Sequence, residues 1–288
     1  PALPTPFSED TVLGACRRCD YHVCNSCRTS SQRCVCSRLV EAVSNYTDKD
    51  PRIAKETTVL FLGPYALGET VDAASHSWKK KLEAMLGVKV KLIVAVFPYE
   101  IESGAGCKGY WTKPSYPTAE GRRKLLRKEL NCSMVMMLTE VIRHQPQLIL
   151  GLGQGGLVAG LASLPLVLEQ ACRARVLTDQ QMCTIRKSWS KVVGVISIDP
   201  LVMPQSTCHA TLLEAMPEIG WLQPRGIFRA MFSEENNYSK RDFCAELAAN
   251  MGLVCKPMRE FAYMKAELTA ELSRPPPLYF EDDTHGAG

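Results

Sequence analysis

The stretch Leu148-Ile-Leu-Gly-Leu-Gly-Gln-Gly-Gly-Leu-Val-Ala-Gly160 decides the fold. It consists of an apolar run, then four glycines within six residues, then a second apolar run. This order predicts a buried strand, a sharp turn and a helix. Such turns lie at the carboxyl edge of the sheet in α/β proteins, where ligands bind and nucleophiles are placed. We therefore expect a site at this turn.

Apolar runs typical of strands alternate with amphipathic runs typical of helices on both sides of the turn. The predicted strands are 59–63, 88–97, 192–198, 226–232 and 253–255. The predicted helices are 37–43, 71–85, 118–144, one that follows the turn and runs to about 175 with an interruption near Pro165, 179–191, 211–219, 240–251 and 258–272. Residues 99–117 contain glycines and prolines and predict a long lid or binding loop. The alternation predicts an α/β fold, a three-layer and mostly parallel sheet with helices on both faces.

The thirteen cysteines are distributed unevenly, since six of them lie in one short segment. The other seven are scattered, as are the buried thiols of intracellular proteins. The clustered six form two C-x-x-C knuckles followed by a C-x-C, and thiolates at this spacing suit tetrahedral Zn²⁺. These six are Cys16, Cys19, Cys24, Cys27, Cys34 and Cys36. We therefore expect zinc as a cofactor and a small module whose folding depends on the metal.

This cysteine run is similar to the signature of cross-brace, treble-clef zinc fingers of the FYVE type and, more loosely, of the ZZ type. The resemblance implies that the first knuckle shares a zinc ion with Cys34 and Cys36. The second knuckle would then need further ligands, such as His22 or residues that precede this stretch. The basic segment that binds phosphoinositides in FYVE domains is missing, so lipid binding is not implied. Arginines make the finger basic, which favours an acidic protein or nucleic-acid partner.

These patterns divide the chain into five segments. They are a loose lead-in (1–11), the Cys-rich module (12–43), a polar linker (44–57), the α/β domain (58–272) and a Pro-rich, acidic tail (273–288). The chain does not begin with Met, so we expect a fragment or a processed piece. No apolar run approaches the roughly 20 residues that span a bilayer. We expect an intracellular protein, and the net charge of +4 is too small to indicate nucleic-acid binding by itself.

Two families compete for the glycine turn. Gly151, Gly153 and Gly156 satisfy the G-x-G-x-x-G pattern of dinucleotide-binding proteins, with Asp179 downstream as a ribose ligand. That acid should end a strand, however, and the residues before Asp179 are a poor strand. Over residues 58–258 the order of elements instead resembles the α/β-hydrolase fold, and the turn is similar to its nucleophile elbow, usually G-x-S-x-G-G.

The α/β-hydrolase resemblance places Gly153 at the nucleophile position, and glycine offers no group that attacks a carbonyl. The acid position would fall on Glu235 or Asn236. Where that family has its histidine, this chain has residues 257–259 (Pro-Met-Arg), and the later His285 lies in the tail. The resemblance therefore implies a pseudoenzyme without catalytic residues. The sequence favours a protein without enzymatic activity but does not decide the question.

The favoured function is that of a zinc-binding, catalytically silent, α/β-hydrolase-like binding or assembly module. Its elbow would keep a nest of backbone N–H groups at Gly153, Gln154, Gly155 and Gly156, able to hold an anion or a small acyl ligand. Three alternatives remain open. They are an active hydrolase with a relocated nucleophile, a dinucleotide-binding oxidoreductase, and a nucleic-acid-associated protein that acts through the basic finger.

Overall fold

The computed structural model describes residues 15–16, 21–22, 35–48, 56–64, 68–95, 99–100, 108–110, 119–162, 178–200, 227–232 and 254–273. The strands are β1 (Ala15–Cys16), β2 (Tyr21–His22), β3 (Thr57–Leu62), β4 (Val90–Val94), β5 (Tyr99–Glu100), β6 (Lys108–Gly109), β7 (Leu148–Leu152), β8 (Gly194–Ile198), β9 (Ile227–Phe232) and β10 (Val254–Pro257). The helices are α1 (Val35–Ser44), α2 (Gly68–Leu86), α3 (Ala119–His144), α4 (Gln154–Ala162), α5 (Asp179–Trp189), a 3₁₀ helix (Met258–Met264) and α6 (Lys265–Ser273).

Six of these strands form one sheet in the order β10-β9-β8-β7-β3-β4, and every neighbouring pair is parallel. Two short antiparallel pairs, β1-β2 and β5-β6, form separate two-stranded sheets. The chain leaves β3 for β4 on one side and returns to the other side of β3 at β7. This reversal makes a topological switch point between β3 and β7, the place where open α/β sheets bind ligands.

The central strands are apolar on both faces because helices cover both faces of the sheet. On β3, Val59 and Phe61 pack in one cluster while Leu60 and Leu62 pack in the other. The first cluster lies under α2, the 3₁₀ helix and α6. The second lies under α1, α3, α4 and α5. The predicted α/β fold with a parallel sheet and helices on both faces is thereby confirmed.

Helix α1 belongs to the packed core. The sequence predicts a short helix at 37–43 within the Cys-rich segment, and the structure has it at 35–44, against α3. Leu39 is fully buried, and Ala42 and Val43 are buried beside it. The described end of the Cys-rich segment is therefore joined to the sheet domain by apolar contacts. The division into segments that we drew from the sequence stays a prediction.

A group of polar side chains, the Lys191 cluster, holds the residues that follow α1. It consists of Asp48, Gln145, Lys187 and Lys191. The buried Lys191 ammonium contacts the Asp48 carboxylate and donates to Gln145 Oε1 at 2.7 Å. Lys187 Nζ lies 3.0 Å from the other Asp48 oxygen, and Gln145 Nε2 donates to the Thr47 carbonyl at 2.6 Å. The hydrogen bond from Lys191 lowers the pKa of Asp48 to about 2, although burial acts in the opposite direction.

Strand β4 is the last strand at one edge of the sheet among the described residues. Val90 is buried, but Lys89 and Lys91 on either side of it are exposed. The Val90 N–H donates to Glu83 Oε1 at 3.1 Å. A carboxylate from α2 thus satisfies a backbone donor of this edge strand.

Some boundaries differ from the prediction. The strand expected at 88–97 is shorter, because its pairing with β3 ends at the Phe61–Val94 step and at the Ala95 N–H bond to the Phe61 carbonyl. The helix expected at 258–272 is divided into the 3₁₀ helix and α6. The helices predicted at 211–219 and 240–251 lie outside the described residues. None of the helices that the structure describes has the length and apolar character needed to cross a bilayer.

Candidate ligand site at the glycine turn

A single residue, Gly153, connects β7 to α4. Its φ is +54°, a backbone conformation that glycine adopts without steric cost and that side-chain-bearing residues rarely adopt. The Gly153 carbonyl accepts from the Leu157 N–H at 3.1 Å, which begins the helix directly after the turn. The predicted sequence of strand, sharp turn and helix is therefore present, with Gly153 at its apex.

Three further glycines are required because the backbone approaches them closely. A Cβ on Gly155 would lie 2.3 Å from the Leu62 carbonyl oxygen, and one on Gly151 would lie 2.4 Å from the Gly155 oxygen. A Cβ on Gly156 would meet the Ile198 oxygen at 3.0 Å. Since these obstacles are backbone atoms, they cannot move aside like a flexible side chain. The turn is thus packed directly against the carboxyl ends of β3 and β8.

Strand β8 is hydrogen-bonded to the turn at two points. The Gly153 N–H donates to the Ile198 carbonyl at 3.0 Å, one step beyond the last paired residues, Leu152 and Ile198. The buried Ser197 hydroxyl donates to the Gly156 carbonyl at 2.8 Å. The end of β8 therefore lies beside the apex.

Asp199, the residue after β8, has an unusual backbone. Its φ is +40°, and its N–H donates to the Met231 carbonyl at 2.8 Å. Aspartate is one of the few non-glycine residues that enter this region with some frequency. The residue is partly exposed, whereas the following Pro200 is buried. A partly exposed acid is thus held at the carboxyl edge of the sheet.

Gln154 attaches a second chain segment to the turn. Its Oε1 accepts from the backbone N–H of Tyr110 at 2.8 Å, and the buried Ser133 hydroxyl donates to the Tyr110 carbonyl. The Tyr110 side chain is fully buried. Burial raises the pKa of Tyr110 well above its usual value, and the backbone of Gly63 beside it acts in the opposite direction. This described part of the predicted binding loop is therefore fixed against both α3 and the turn.

Two described hydroxyl groups near the turn are already engaged as donors. Ser133 and Ser197 are buried, and each donates to a backbone carbonyl. Neither serine takes the position of the missing nucleophile, which gives the alternative of a relocated nucleophile no support from these two residues.

The other residues of the hydrolase resemblance are not assembled in the described structure. Glu235, Asn236 and His285 lie outside the described residues. Pro257 ends β10, and Arg259 lies exposed in the 3₁₀ helix that follows. The two described residues, Pro257 and Arg259, supply neither an acid nor a histidine.

The dinucleotide alternative requires an acid at the end of a strand. Asp179 instead begins α5, where the Thr178 hydroxyl accepts from the Gln181 N–H at 3.2 Å and Gln181 Oε1 accepts from the Thr178 N–H at 2.9 Å. This reciprocal pair is a capping box, a device that starts helices. Asp179 is therefore not placed as a ribose ligand would be.

The six cysteines predicted to bind zinc have side chains outside the described part of the structure. Their backbone is described at two points, since Cys16 ends β1 and Cys36 lies in the first turn of α1. Strands β1 and β2 pair antiparallel, Cys16 opposite Tyr21, so that the first knuckle falls between two paired strands. Among the described residues, no group of three His, Cys, Asp or Glu lies close enough to hold a metal. The zinc site remains a prediction. Cysteine thiolates are a donor set that suits Zn²⁺.

No family model matches the chain, and no curated protein matches it in sequence. Among solved structures it is similar to the ydeN gene product of B. subtilis, with 11% identity and a TM-score of 0.35 over 76% of this chain and 100% of that one. It is similar to a lipase/esterase from Lactobacillus plantarum, with 10% identity and a TM-score of 0.36 over 71% and 76% of the two chains. It is also similar to a candidate carboxylesterase from Lactobacillus plantarum WCFS1, with 9% identity and a TM-score of 0.37 over 78% and 88%. These neighbours are α/β-hydrolase-like.

One expectation drawn from the sequence requires correction. The sequence favoured a protein without enzymatic activity, because glycine occupies the apex. Two of the structural neighbours, the lipase/esterase and the candidate carboxylesterase, contradict this expectation, and we withdraw it. A missing apex side chain excludes one kind of nucleophile and leaves other chemistry open.

Sequence reasoning missed Tyr110, Ser133 and Asp199 as parts of the site. For Asp199 a signal existed, since an acid directly after a buried strand lies at the carboxyl edge of a parallel sheet. The backbone N–H of Tyr110 donates to the Gln154 side chain, and the Ser133 hydroxyl donates to the Tyr110 carbonyl. No local sequence pattern indicates either contact.

Proposed function

We propose that the glycine turn binds the acyl group of a small uncharged ligand. The observation that carries this proposal is the elbow conformation of Gly153, a residue without a side chain, whose φ is +54°. The turn around it contains three glycines at which an added Cβ would meet backbone atoms at 2.3–3.0 Å. In α/β hydrolases the N–H of the residue after the apex forms half of the oxyanion hole. Gln154 occupies that position, so the carbonyl oxygen of the ligand would approach the first turn of α4.

An uncharged acyl group suits the site better than the anion that the sequence also suggested. Asp199 lies beside the apex and is partly exposed. The formal negative charge that Asp199 adds to this edge of the sheet disfavours an anionic ligand. An ester or amide carbonyl carries partial negative charge on its oxygen and no net charge, and so avoids this repulsion.

The test is calorimetric titration of the full chain with para-nitroacetanilide, an amide with a simple acetyl group. We expect saturable binding by the wild type and at least tenfold weaker binding by Gly153→Leu, because the new side chain occupies the apex. Gly87→Leu is the matched control. It places the same side chain at another positive-φ glycine (+73°), where an added Cβ has only Lys265 Nζ nearby, at 3.8 Å. Equal affinity of wild type and Gly153→Leu overturns the proposal.

We also propose that the Cys-rich segment binds zinc. The support is the spacing of its cysteines, together with the placement of the first knuckle between β1 and β2. Metal analysis of the full chain should find zinc in the wild type and a loss of metal when Cys16 and Cys19 are both replaced by Ser. Cys183→Ser, at an exposed cysteine of α5, is the control and should keep the metal. An unchanged metal content in the double variant contradicts this assignment.

An intracellular, reducing location is part of the same proposal. Its support is the scattered spacing of the seven cysteines outside the Cys-rich cluster, which is typical of buried thiols in intracellular proteins. Thiols persist where the compartment is reducing. Fractionation of cells that express the tagged chain tests the location, and recovery in an oxidising compartment speaks against it.

A further inference from the structure

Asp199 lies across from the apex of the turn. Leu152 and Ile198 are paired residues of neighbouring parallel strands, and Gly153 and Asp199 are the next residue of each. The hydrogen bond from the Gly153 N–H to the Ile198 carbonyl, at 3.0 Å, holds the two chains together at this step. The main chain of Asp199 is therefore fixed next to the apex residue, Gly153, which lacks a side chain.

One acid lies at the described carboxyl ends of the three central strands. Residues 62–64, 152–154 and 198–200 form the carboxyl ends of β3, β7 and β8, and Asp199 is the ionisable residue among them. Its main-chain N–H donates to the Met231 carbonyl of β9, and the buried Pro200 follows it. A main chain held on both sides restricts where the carboxylate can lie. The residue is also partly exposed, so a water molecule can reach it.

The apex offers room for that water. Gly153 is partly exposed and carries no hydroxyl of its own. The nearby Ser133 and Ser197 hydroxyls are buried and donate to backbone carbonyls. Neither of these two described hydroxyls is placed to attack an acyl carbon at the apex. A bound water is the nucleophile that this inference uses, and a water needs a base to become nucleophilic.

We propose that Asp199 is the general base of a hydrolytic site in which water attacks an ester directly, an inference that rests on the proposed acyl-binding function. The water oxygen forms a bond to the acyl carbon while its proton passes to the Asp199 carboxylate. The first-turn amides of α4 stabilise the negative charge that develops on the carbonyl oxygen. The ester C–O bond then breaks, and the departing alkoxide takes the proton from Asp199. The products are a carboxylic acid and an alcohol, and no acyl group is ever attached to the protein.

The experiment uses the full chain and para-nitrophenyl acetate, the ester counterpart of the amide used for binding. We expect hydrolysis above the buffer rate by the wild type and a loss of about 10²–10⁴-fold in kcat for Asp199→Asn, the range that general bases contribute. Asparagine tolerates a positive φ as well as aspartate does, so this variant should fold. Asp72→Asn, at an exposed position of α2, is the matched control and should keep the wild-type rate.

Two further readouts separate this inference from the binding proposal. Asp199→Asn should still bind para-nitroacetanilide, because its carboxamide leaves the turn unchanged. An unchanged rate in Asp199→Asn, or an acetylated protein detected by mass spectrometry during turnover, overturns the assignment of a general base. A wild type that binds the amide but does not hydrolyse the ester also overturns it and leaves the binding proposal standing. A wild type that does not bind the amide overturns the binding proposal itself.

Discussion

The side chain of Gln154 accepts a hydrogen bond from the backbone N–H of Tyr110, at 2.8 Å and across 44 positions of sequence. Both groups are buried. The first residue of α4 therefore fixes a residue inside segment 99–117, which the sequence indicates as a lid or binding loop. The shape of the candidate site depends on this one amide, because it joins the turn to the segment that lies against α3.

Replacing Gln154 by Met should destabilise the fold. Methionine has a similar volume but offers no comparable acceptor, so the Tyr110 N–H would remain buried without its present partner. A buried unsatisfied donor costs about 1–3 kcal/mol. Denaturant titration measures the change. Ser190→Ala removes an exposed hydrogen bond to the Lys187 carbonyl and should have little effect, since water replaces it. Equal stabilities of the two variants would count against the importance of the Gln154 contact.

Gly155→Ala tests the close approach of the turn to β3. The new methyl group would lie 2.3 Å from the Leu62 carbonyl oxygen, so the turn and the strand have to separate. We expect a loss of at least about 1–3 kcal/mol, the usual effect of overpacking. Gly87→Ala is the control, because it meets nothing nearer than 3.8 Å and carries only the strain of its positive φ. Thermal melting of both variants should show the larger decrease for Gly155→Ala.

The Lys191 cluster should respond unequally to loss of its two charges. The Lys191 side chain is 6% exposed and that of Asp48 is 48% exposed. Asp48→Asn leaves a buried ammonium without its counter-charge, which costs about 3 kcal/mol or more. Lys191→Met leaves a half-exposed carboxylate that Lys187 still contacts, and about 1 kcal/mol is expected. Urea unfolding of both variants compares them. A larger loss for Lys191→Met would contradict this account of burial.

Asp48 also makes stability depend on pH in the acid range. Its pKa is lowered from 3.8 to about 2 in the folded protein, so the ionised form is favoured by folding. The stabilisation is complete above the unfolded-state pKa and is lost as the pH falls towards 2. The difference in unfolding free energy between wild type and Asp48→Asn should therefore narrow over this interval. A difference that stays constant down to pH 2 would exclude Asp48 as the source.

Leu39→Ala tests whether α1 is part of the sheet domain. Leu39 is fully buried in the cluster that also contains α3, and a deletion of this size in a core costs about 2–5 kcal/mol. The unfolding transition of the whole sheet domain should shift by this amount. Val88→Ala, at a residue that is 46% exposed, is the control and should shift it little. A separate early transition for α1, with the main transition unchanged, would support the domain boundary drawn from the sequence.

Local patterns predicted the parts of the fold that local physics determines. Strands β3, β7 and β8 are continuous apolar runs, as fully covered parallel strands are, and the glycines of the turn are where backbone atoms approach most closely. The contacts that complete the site connect distant residues. Asp48 meets Lys191 across 143 positions, and no periodicity records such a pairing. For the same reason the amphipathic face of α1 indicated a helix but could not indicate that α3 covers it.

The lysines of the edge strand have a consequence for the behaviour of the protein at high concentration. An open sheet edge can recruit strands from other copies of the chain. When such an edge is apolar, this pairing starts aggregates. Lys89 and Lys91 would bring like charges together in any such pairing, and Glu83 already occupies the Val90 N–H. The colloidal stability of the chain should therefore depend on three charges that contribute nothing to the apolar core.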